Sequence, residues 1–275
     1  MRGSYGGLLP DKGSLEYGRR GDGLLTCDLS RVKGAKPFFL RRGGTGCLLL
    51  HGLTSTPGTV KELGKWLAAR GITVSAPLIA GHGRTWKHLE STTWQDWYMS
   101  VERAYARLGN SCRRVFAAGI SMGGAQVLHL AAHHPELAGV AAMSPALYLD
   151  DWRIPLVLAF RRLIRTVPPI GGSIRDPNLP REICYSRLPT RALHELVRMM
   201  RHVREDLSLV RCPALILGPV EDPVVPGGNA RFVFSRIASP RKRIVRLAGS
   251  GHVITMDSER FRVFDLICRF IRSAG

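Results

Sequence analysis

No apolar run in the 275 residues approaches the ~20 needed to cross a bilayer, so a helical membrane span is not expected. The opening stretch "MRGSYGGLLPDKGS" lacks the apolar region of a secretory signal, which points to the cytoplasm. Cysteine is scarce. The six residues (Cys27, Cys47, Cys112, Cys184, Cys212 and Cys268) are scattered, with none in C-x-x-C spacing, so neither a zinc site nor a disulfide framework is expected. Cys47 in "GCLLL" and Cys268 in "DLICRF" read as small core residues. Acidic residues are few as well: 21 Asp and Glu against 40 Lys and Arg give a net charge of +19. Such a balance attracts nucleic acid or an anionic membrane in some proteins. Here the cations, mostly arginine, form no single block; the densest runs are "FRRLIRT" (160–166) and "SPRKRIVR" (239–246). No aromatics are interleaved with them in an RNA-binding pattern, and nucleic-acid binding is not expected. Repeats and low-complexity tracts are also lacking.

What is present is an ordinary globular composition, 45% apolar and 22% charged, long enough for one large domain that carries an insertion. Residues 1–36 are rich in Gly, Arg and Asp with little periodicity and read as a loosely ordered extension. From Pro37 the pattern sharpens. "PFFLR", "GCLLLH" (46–51), "ITVSAP" (72–77), "RVFAAG" (114–119) and "GVAAMS" (139–144) read as strands. Their near-continuous apolar runs suit a sheet buried on both faces. Between them, "TPGTVKELGKWLAARG", "TTWQDWYMSVERAYARLG" and residues 122–134 carry helical periodicity with Pro, Thr and Gly at their ends. The alternation fails from 146 to 208 and resumes with "PALILGP", "GGNARFVFSRI", "KRIVRLA" and "SERFRVFDLICRFIRS". This order predicts an α/β fold: a mostly parallel central sheet with helices on both faces, a core of 37–145 and 209–275, and an inserted helical cap over 146–208.

The chemistry centres on "GISMGG". Ser121 follows a buried strand and precedes a helix, in the pattern G-x-S-x-G. Glycines on either side let the backbone turn sharply and push the serine oxygen clear of the sheet. The N–H of Met122 then lies at a helix N-terminus, suited to a developing negative charge. A serine hydroxyl needs an imidazole to take its proton, and the imidazole needs a carboxylate to fix its tautomer. In this kind of sheet both partners come later in the chain, at the ends of later strands. "PALILGPVEDPVVP" supplies Asp222 just past a strand, and "KRIVRLAGSGHVI" supplies His252 after the next. "HGLTSTP" leaves the first apolar strand and turns the N–H of Leu53 toward the serine, a second donor for the oxyanion.

Together "LLLHGLTSTP", "APLIAGHG", "AAGISMGGAQ" and "EDPVVPGGNA…IVRLAGSGHVITMD" resemble the α/β-hydrolase superfamily, and within it the bacterial carboxylesterase and monoacylglycerol lipase group, from about Pro37 to Ile271. The resemblance implies Ser121, Asp222 and His252 as the triad, Leu53 and Met122 as oxyanion donors, residues of about 146–208 as the lid, and no metal or organic cofactor. In monoacylglycerol lipases a cap glutamate reads the glycerol hydroxyls. The alignment of "EICYSRLPT" puts Ser186 there with Glu182 nearby.

The expected activity is therefore that of a serine hydrolase cleaving carboxylic esters with short to medium acyl chains, monoacylglycerols among them, through an acyl-enzyme on Ser121. The alternatives are a thioesterase or amidase using the same residues, or a non-catalytic basic binding module. The expected partner is a small-molecule ester or lipid. The apolar residues Leu156, Val157, Leu158, Phe160, Leu163, Ile164 and Val167 are expected to be buried over the site, with Arg161, Arg162 and Arg165 facing outward for loose contact with anionic membrane. Trp86, Trp94 and Trp97 read as core packing. The oligomeric state is left open.

Overall fold

The computed structural model describes residues 28–32, 34–169 and 174–274. Its strands are β1 (Phe38–Leu40), β2 (Thr45–Leu50), β3 (Thr73–Ala76), β4 (Arg114–Ile120), β5 (Gly139–Met143), β6 (Thr166–Val167), β7 (Leu188–Pro189), β8 (Ala214–Pro219) and β9 (Lys242–Leu247). Its helices are α1 (Lys61–Ala68), α2 (Trp86–Glu90), α3 (Trp94–Gly109), α4 (Met122–His133), α5 (Arg153–Ala159), α6 (Thr190–Asp206), α7 (Gly228–Arg236) and α8 (Arg260–Ser273). Among the described residues, seven strands form one sheet in the order β1-β3-β2-β4-β5-β8-β9. Every pairing in it is parallel except that of β1 with β3.

The apolar runs are buried on both faces, as a parallel sheet covered by helices requires. In β4, Val115 and Ala117 join the core on one side of the sheet, while Phe116, Ala118 and Ile120 join the core on the other. Leu48 and Leu50 of β2 and Val140 and Ala142 of β5 share the first side; Cys47, Leu49, Ala141 and Met143 share the second. This is the period of two expected of a strand. Cys47 and Cys268 are buried core residues. Helices α3, α4 and α6 cover the first side, and α1 and α8 the second.

Helix α3 begins where its sequence places the stop and start signals. The Thr93 side chain accepts from the Asp96 N–H, and the Asp96 carboxylate accepts from the Thr93 N–H at 2.8 Å, a reciprocal cap. Trp97 of α3 is fully buried and donates to Thr92 Oγ1 at 2.8 Å, and Trp86 is nearly as deep, so these tryptophans are core.

Two expectations are corrected here. The loosely ordered extension read over 1–36 lies mostly outside the described residues, but its described end is packed: Leu29 and Ala35 are buried in the core, and the Leu29 N–H donates to Arg84 O at 2.8 Å. The apolar residues after Pro155 do not close over the sheet as a group. Leu156, Phe160, Leu163 and Ile164 are exposed, Leu163 at 80%, and Trp152 beside them at 82%, whereas Val157, Leu158 and Val167 are half-buried against the core. Helix α5 stops after seven residues, and the exposed Arg161, Arg162 and Arg165 lie among the apolar residues left on the surface.

Candidate active site

Ser121 sits between β4 and α4 with φ 57° and ψ −117°, a left-handed backbone that costs a non-glycine residue of order 1–3 kcal/mol. The neighbouring glycines explain how it is held. A Cβ on Gly119 would lie 2.2 Å from Gly123 O, and one on Gly123 would lie 2.6 Å from Leu50 O and 2.7 Å from His51 O. The turn therefore presses directly against the end of β2. The Ser121 N–H donates to Met143 O at 2.9 Å, which ties the turn to β5. The serine side chain stays partly exposed while Met122, next in the chain, is fully buried at the start of α4.

His252 and Asp222 come from the loops after β9 and β8, strands paired in parallel, so both loops leave the same edge of the sheet. His252 Nδ1 donates to Asp222 at 2.9 and 3.1 Å. Nε2 of His252 is buried and without a hydrogen-bond partner. Asp222 Oδ1 also accepts from the Val224 and Val225 N–H groups at 2.8 and 3.0 Å. Burial pushes its carboxyl upward, but His252 and these two amides outweigh it and hold it below its ordinary value. It is thus a carboxylate that fixes the imidazole with its proton on Nδ1 and its lone pair on Nε2. Glu221, by contrast, is exposed and pairs loosely with Arg175 at 3.7 Å.

Ser121, His252, Gly52 and Leu53 line one cavity of about 500 Å³. Its apolar walls include Ile120, Leu149, Leu188, Leu196, Val224 and Val253, and its polar groups include Asp176, Arg181 and Glu182. Ser121 and His252 meet this space without a hydrogen bond between them, the loose arrangement common before a substrate tightens the site. Ser186 is exposed and does not line the cavity, whereas Glu182 does. The glutamate rather than the serine stands over the site. Cys184 lies there too, its thiol pushed up to about 12 by burial and then by the Glu182 charge, so it is a neutral wall.

Residues outside the motif fix the loops. Buried His51 donates from Nδ1 to Gly52 O at 2.9 Å and accepts at Nε2 from the Ile79 N–H at 3.2 Å, which pins the turn leading to Leu53. Ser144 donates to His252 O at 2.8 Å. Asn229 accepts from the Leu147 and Tyr148 N–H groups and donates to Tyr148 O and Pro226 O, joining the end of the first core segment to the loop that carries Asp222. Asp257, fully buried, accepts from the N–H groups of Gly251, Arg175, Ser258 and Asp176 at 2.7, 2.7, 2.8 and 3.3 Å. Sequence reasoning passed over Asp257; the signal was its place five residues after His252 in "GHVITMD".

A nucleophile turn after a central parallel strand, with a carboxylate-bound imidazole beside it, defines a serine hydrolase of the α/β-hydrolase fold. The chain belongs to the family described as serine aminopeptidase, S33, whose model matches residues 45–259. It is 37% identical over 243 residues to a thermostable monoacylglycerol lipase of Bacillus sp. (strain H-257), covering 87% of this chain and 95% of that one. A carboxylesterase of Bacillus subtilis (strain 168) is 26% identical over 244 residues, covering 88% and 98%. Among solved structures, one from work on LipS and LipT, two metagenome-derived lipolytic enzymes, superposes with a TM-score of 0.84 at 31% identity, covering 87% and 98%.

Proposed function

We propose that Ser121 attacks the carbonyl of a carboxylic ester, with His252 as base and Asp222 stabilising the imidazolium. The protein is a carboxylic ester hydrolase. His252 Nε2 takes the Ser121 proton, the N–H groups of Leu53 and Met122 hold the tetrahedral oxyanion, and the alcohol leaves with the proton from His252. Water then attacks the acyl-enzyme by the same route in reverse. The observation that carries this reading is the His252–Asp222 pair, with Nε2 left unpaired in a cavity shared with Ser121.

The substrate we infer is an ester of a small polar alcohol with an apolar acyl chain, a monoacylglycerol above all. The 37% identical relative bears that name. The cavity pairs Leu149, Leu188 and Leu196 with Glu182, an apolar wall for a chain and a carboxylate for hydroxyl groups. We read segment 146–208 as the cap, because it supplies more than half of the residues that line the cavity. Outside that wall, Trp152, Leu156, Phe160 and Leu163 stand exposed beside Arg161, Arg162 and Arg165. Such a surface docks on anionic lipid, where apolar side chains enter the interface and arginines meet headgroups. No described helix is long and apolar enough to cross a membrane.

The test is hydrolysis of a short p-nitrophenyl ester, a monoacylglycerol series and an amino-acid p-nitroanilide. Ser121→Ala should lose ester turnover by ~10⁵–10⁶ while keeping its circular dichroism. Asp222→Asn should retain KM and lose kcat by ~10⁴. Wild-type turnover in Ser121→Ala, or anilide cleavage outrunning every ester, defeats the proposal. Sedimentation with anionic and neutral vesicles tests the docking face; equal retention by both argues against it.

A further inference from the structure

Away from the cavity, helices α4 and α6 meet through a cluster that the ester chemistry does not use. His129 and His133 are one turn apart on α4, their ring centroids 4.4 Å apart. Asp206 closes α6 and faces them, its Oδ2 2.7 Å from His129 Nδ1. One donor atom from each of the three lies within 4.8 Å of the others, the only such group of three among the described residues. His133 Nδ1 donates to His129 O at 2.9 Å. That bond settles its tautomer: Nε2 keeps its lone pair, as the outer partner of a metal-bound histidine arranges. His202, one turn before Asp206 on α6, packs on Trp94 with ring centroids 5.0 Å apart and lies close enough for its charge to act on His129.

We propose that His129, His133 and Asp206 form a binding site for a borderline transition-metal ion of the zinc class. Two imidazoles and one carboxylate suit Zn²⁺, and a site for Mg²⁺ or Ca²⁺ would be all oxygen. Ligand atoms around tetrahedral Zn²⁺ stand about 3.4 Å apart at bond lengths of about 2.1 Å. Closing 4.8 Å to that spacing takes side-chain rotations of about an ångström. His133 is exposed and makes the larger movement, while the His129–Asp206 pair, now 2.7 Å apart, opens by about 0.7 Å. On binding, the His129 proton that faces Asp206 moves to Nε2 through solvent, so the imidazole stays neutral with its Nδ1 lone pair on the ion. The fourth position falls to water or to His202.

The site joins two parts of the chain with different work. Helix α4 begins next to Ser121, and α6 is the last helix of the 146–208 segment. A bound ion therefore fastens the exit of that segment to the helix behind the nucleophile, and its effect is on rigidity and stability rather than on the bond-breaking step. Metal binding is consequently independent of the ester-hydrolase reading.

The test uses full-length protein stripped with EDTA and titrated with ZnCl₂ at pH 7.5 by calorimetry, with Co²⁺ as a spectroscopic substitute. One equivalent should bind with micromolar or tighter Kd. Tm should rise by on the order of 5 °C, and Co²⁺ should give the intense visible bands of a tetrahedral site. His133→Asn, at an exposed position that leaves the fold intact, should raise Kd at least about tenfold and remove the Tm gain. Asp206→Asn should do the same. Absence of saturable binding overturns the proposal. So does zinc binding unchanged in His133→Asn, because the ion would then sit elsewhere, at His252 for example.

Discussion

Asp257 is the residue whose loss should be felt furthest. It is fully buried, and its two oxygens accept from four backbone amides on two loops: Gly251 and Ser258 around His252, and Arg175 and the cavity-lining Asp176. Burial alone raises a carboxyl, yet these amides hold Asp257 below its ordinary value. Replacing it with asparagine keeps the shape but turns one acceptor into an NH₂ that meets two N–H donors head-on. A hydrogen bond to a charged acceptor contributes about 1.5–3 kcal/mol, and a stranded buried donor costs about 1–3 kcal/mol. Because the loops relax, Asp257→Asn should destabilise by about 3 kcal/mol rather than the full sum, lowering Tm by about 6–12 °C for a chain of this length. Because Gly251 adjoins His252, kcat should fall about tenfold or more, with KM also disturbed through residue 176. A depressed aspartate contributes its stability above the unfolded value near 4 and loses it as pH falls through the folded value. The gap between wild type and variant should therefore be full at pH 7 and narrow below pH 4. Denaturant titration at several pH values, with p-nitrophenyl ester kinetics at pH 7, measures all of this. A variant with wild-type Tm and kcat would show that the four amides find other partners and that Asp257 organises nothing.

Two further outcomes are expected. Gly123→Ala should fail to accumulate folded protein or lose more than about 4 kcal/mol in urea titration, because the new methyl meets backbone oxygens of Leu50 and His51 that cannot retreat without parting β2 from α4; Gly109→Ala, where a Cβ has open space, should be nearly neutral. Burial lowers His51 to about 3, helped by the His82 charge, and lowers His82 to about 4. Below pH 6.5 the unfolded chain therefore binds protons that the folded chain refuses. The pair's contribution should be level well above pH 6.5 and fall by roughly 4 kcal/mol between pH 6.5 and 4.5, its slope approaching about 1.4 kcal/mol per pH unit for each group at the acid end; a flat profile across that window in guanidinium titrations would contradict the assigned neutrality of the pair.

The core was readable because its physics is periodic. "CLLL" and "VFAA" alternate between two covered faces, and no other packing buries every residue of such a run. Ser121 was readable because only glycines fit at 119 and 123, so a glycine pattern marks the turn. His252 and Asp222 followed from strand order, since parallel strands deliver their loops to one edge. Segment 146–208 resisted for the converse reason. Between 160 and 189 the described residues hold only the two-residue strands β6 and β7, so spacing along them does not translate into direction, and Ser186 turns outward where Glu182 turns inward. Apolar content alone also misplaced Leu156, Phe160 and Leu163, since an apolar residue tells nothing of its neighbours' charge. Asp257 and the Asp206 pairing with His129 join residues from separate loops and helices, and no local pattern announces such contacts.

The four hydrogen bonds of Asn229 bear on how such proteins are recombined. Its amide reads the backbone of Leu147 and Tyr148 from a helix 81 residues away, on the chain that delivers Asp222. A chimera that imports a foreign segment in place of residues 149–208 should therefore cross over after Tyr148, leaving that seam native; a junction placed two residues earlier would replace both residues whose backbone Asn229 holds.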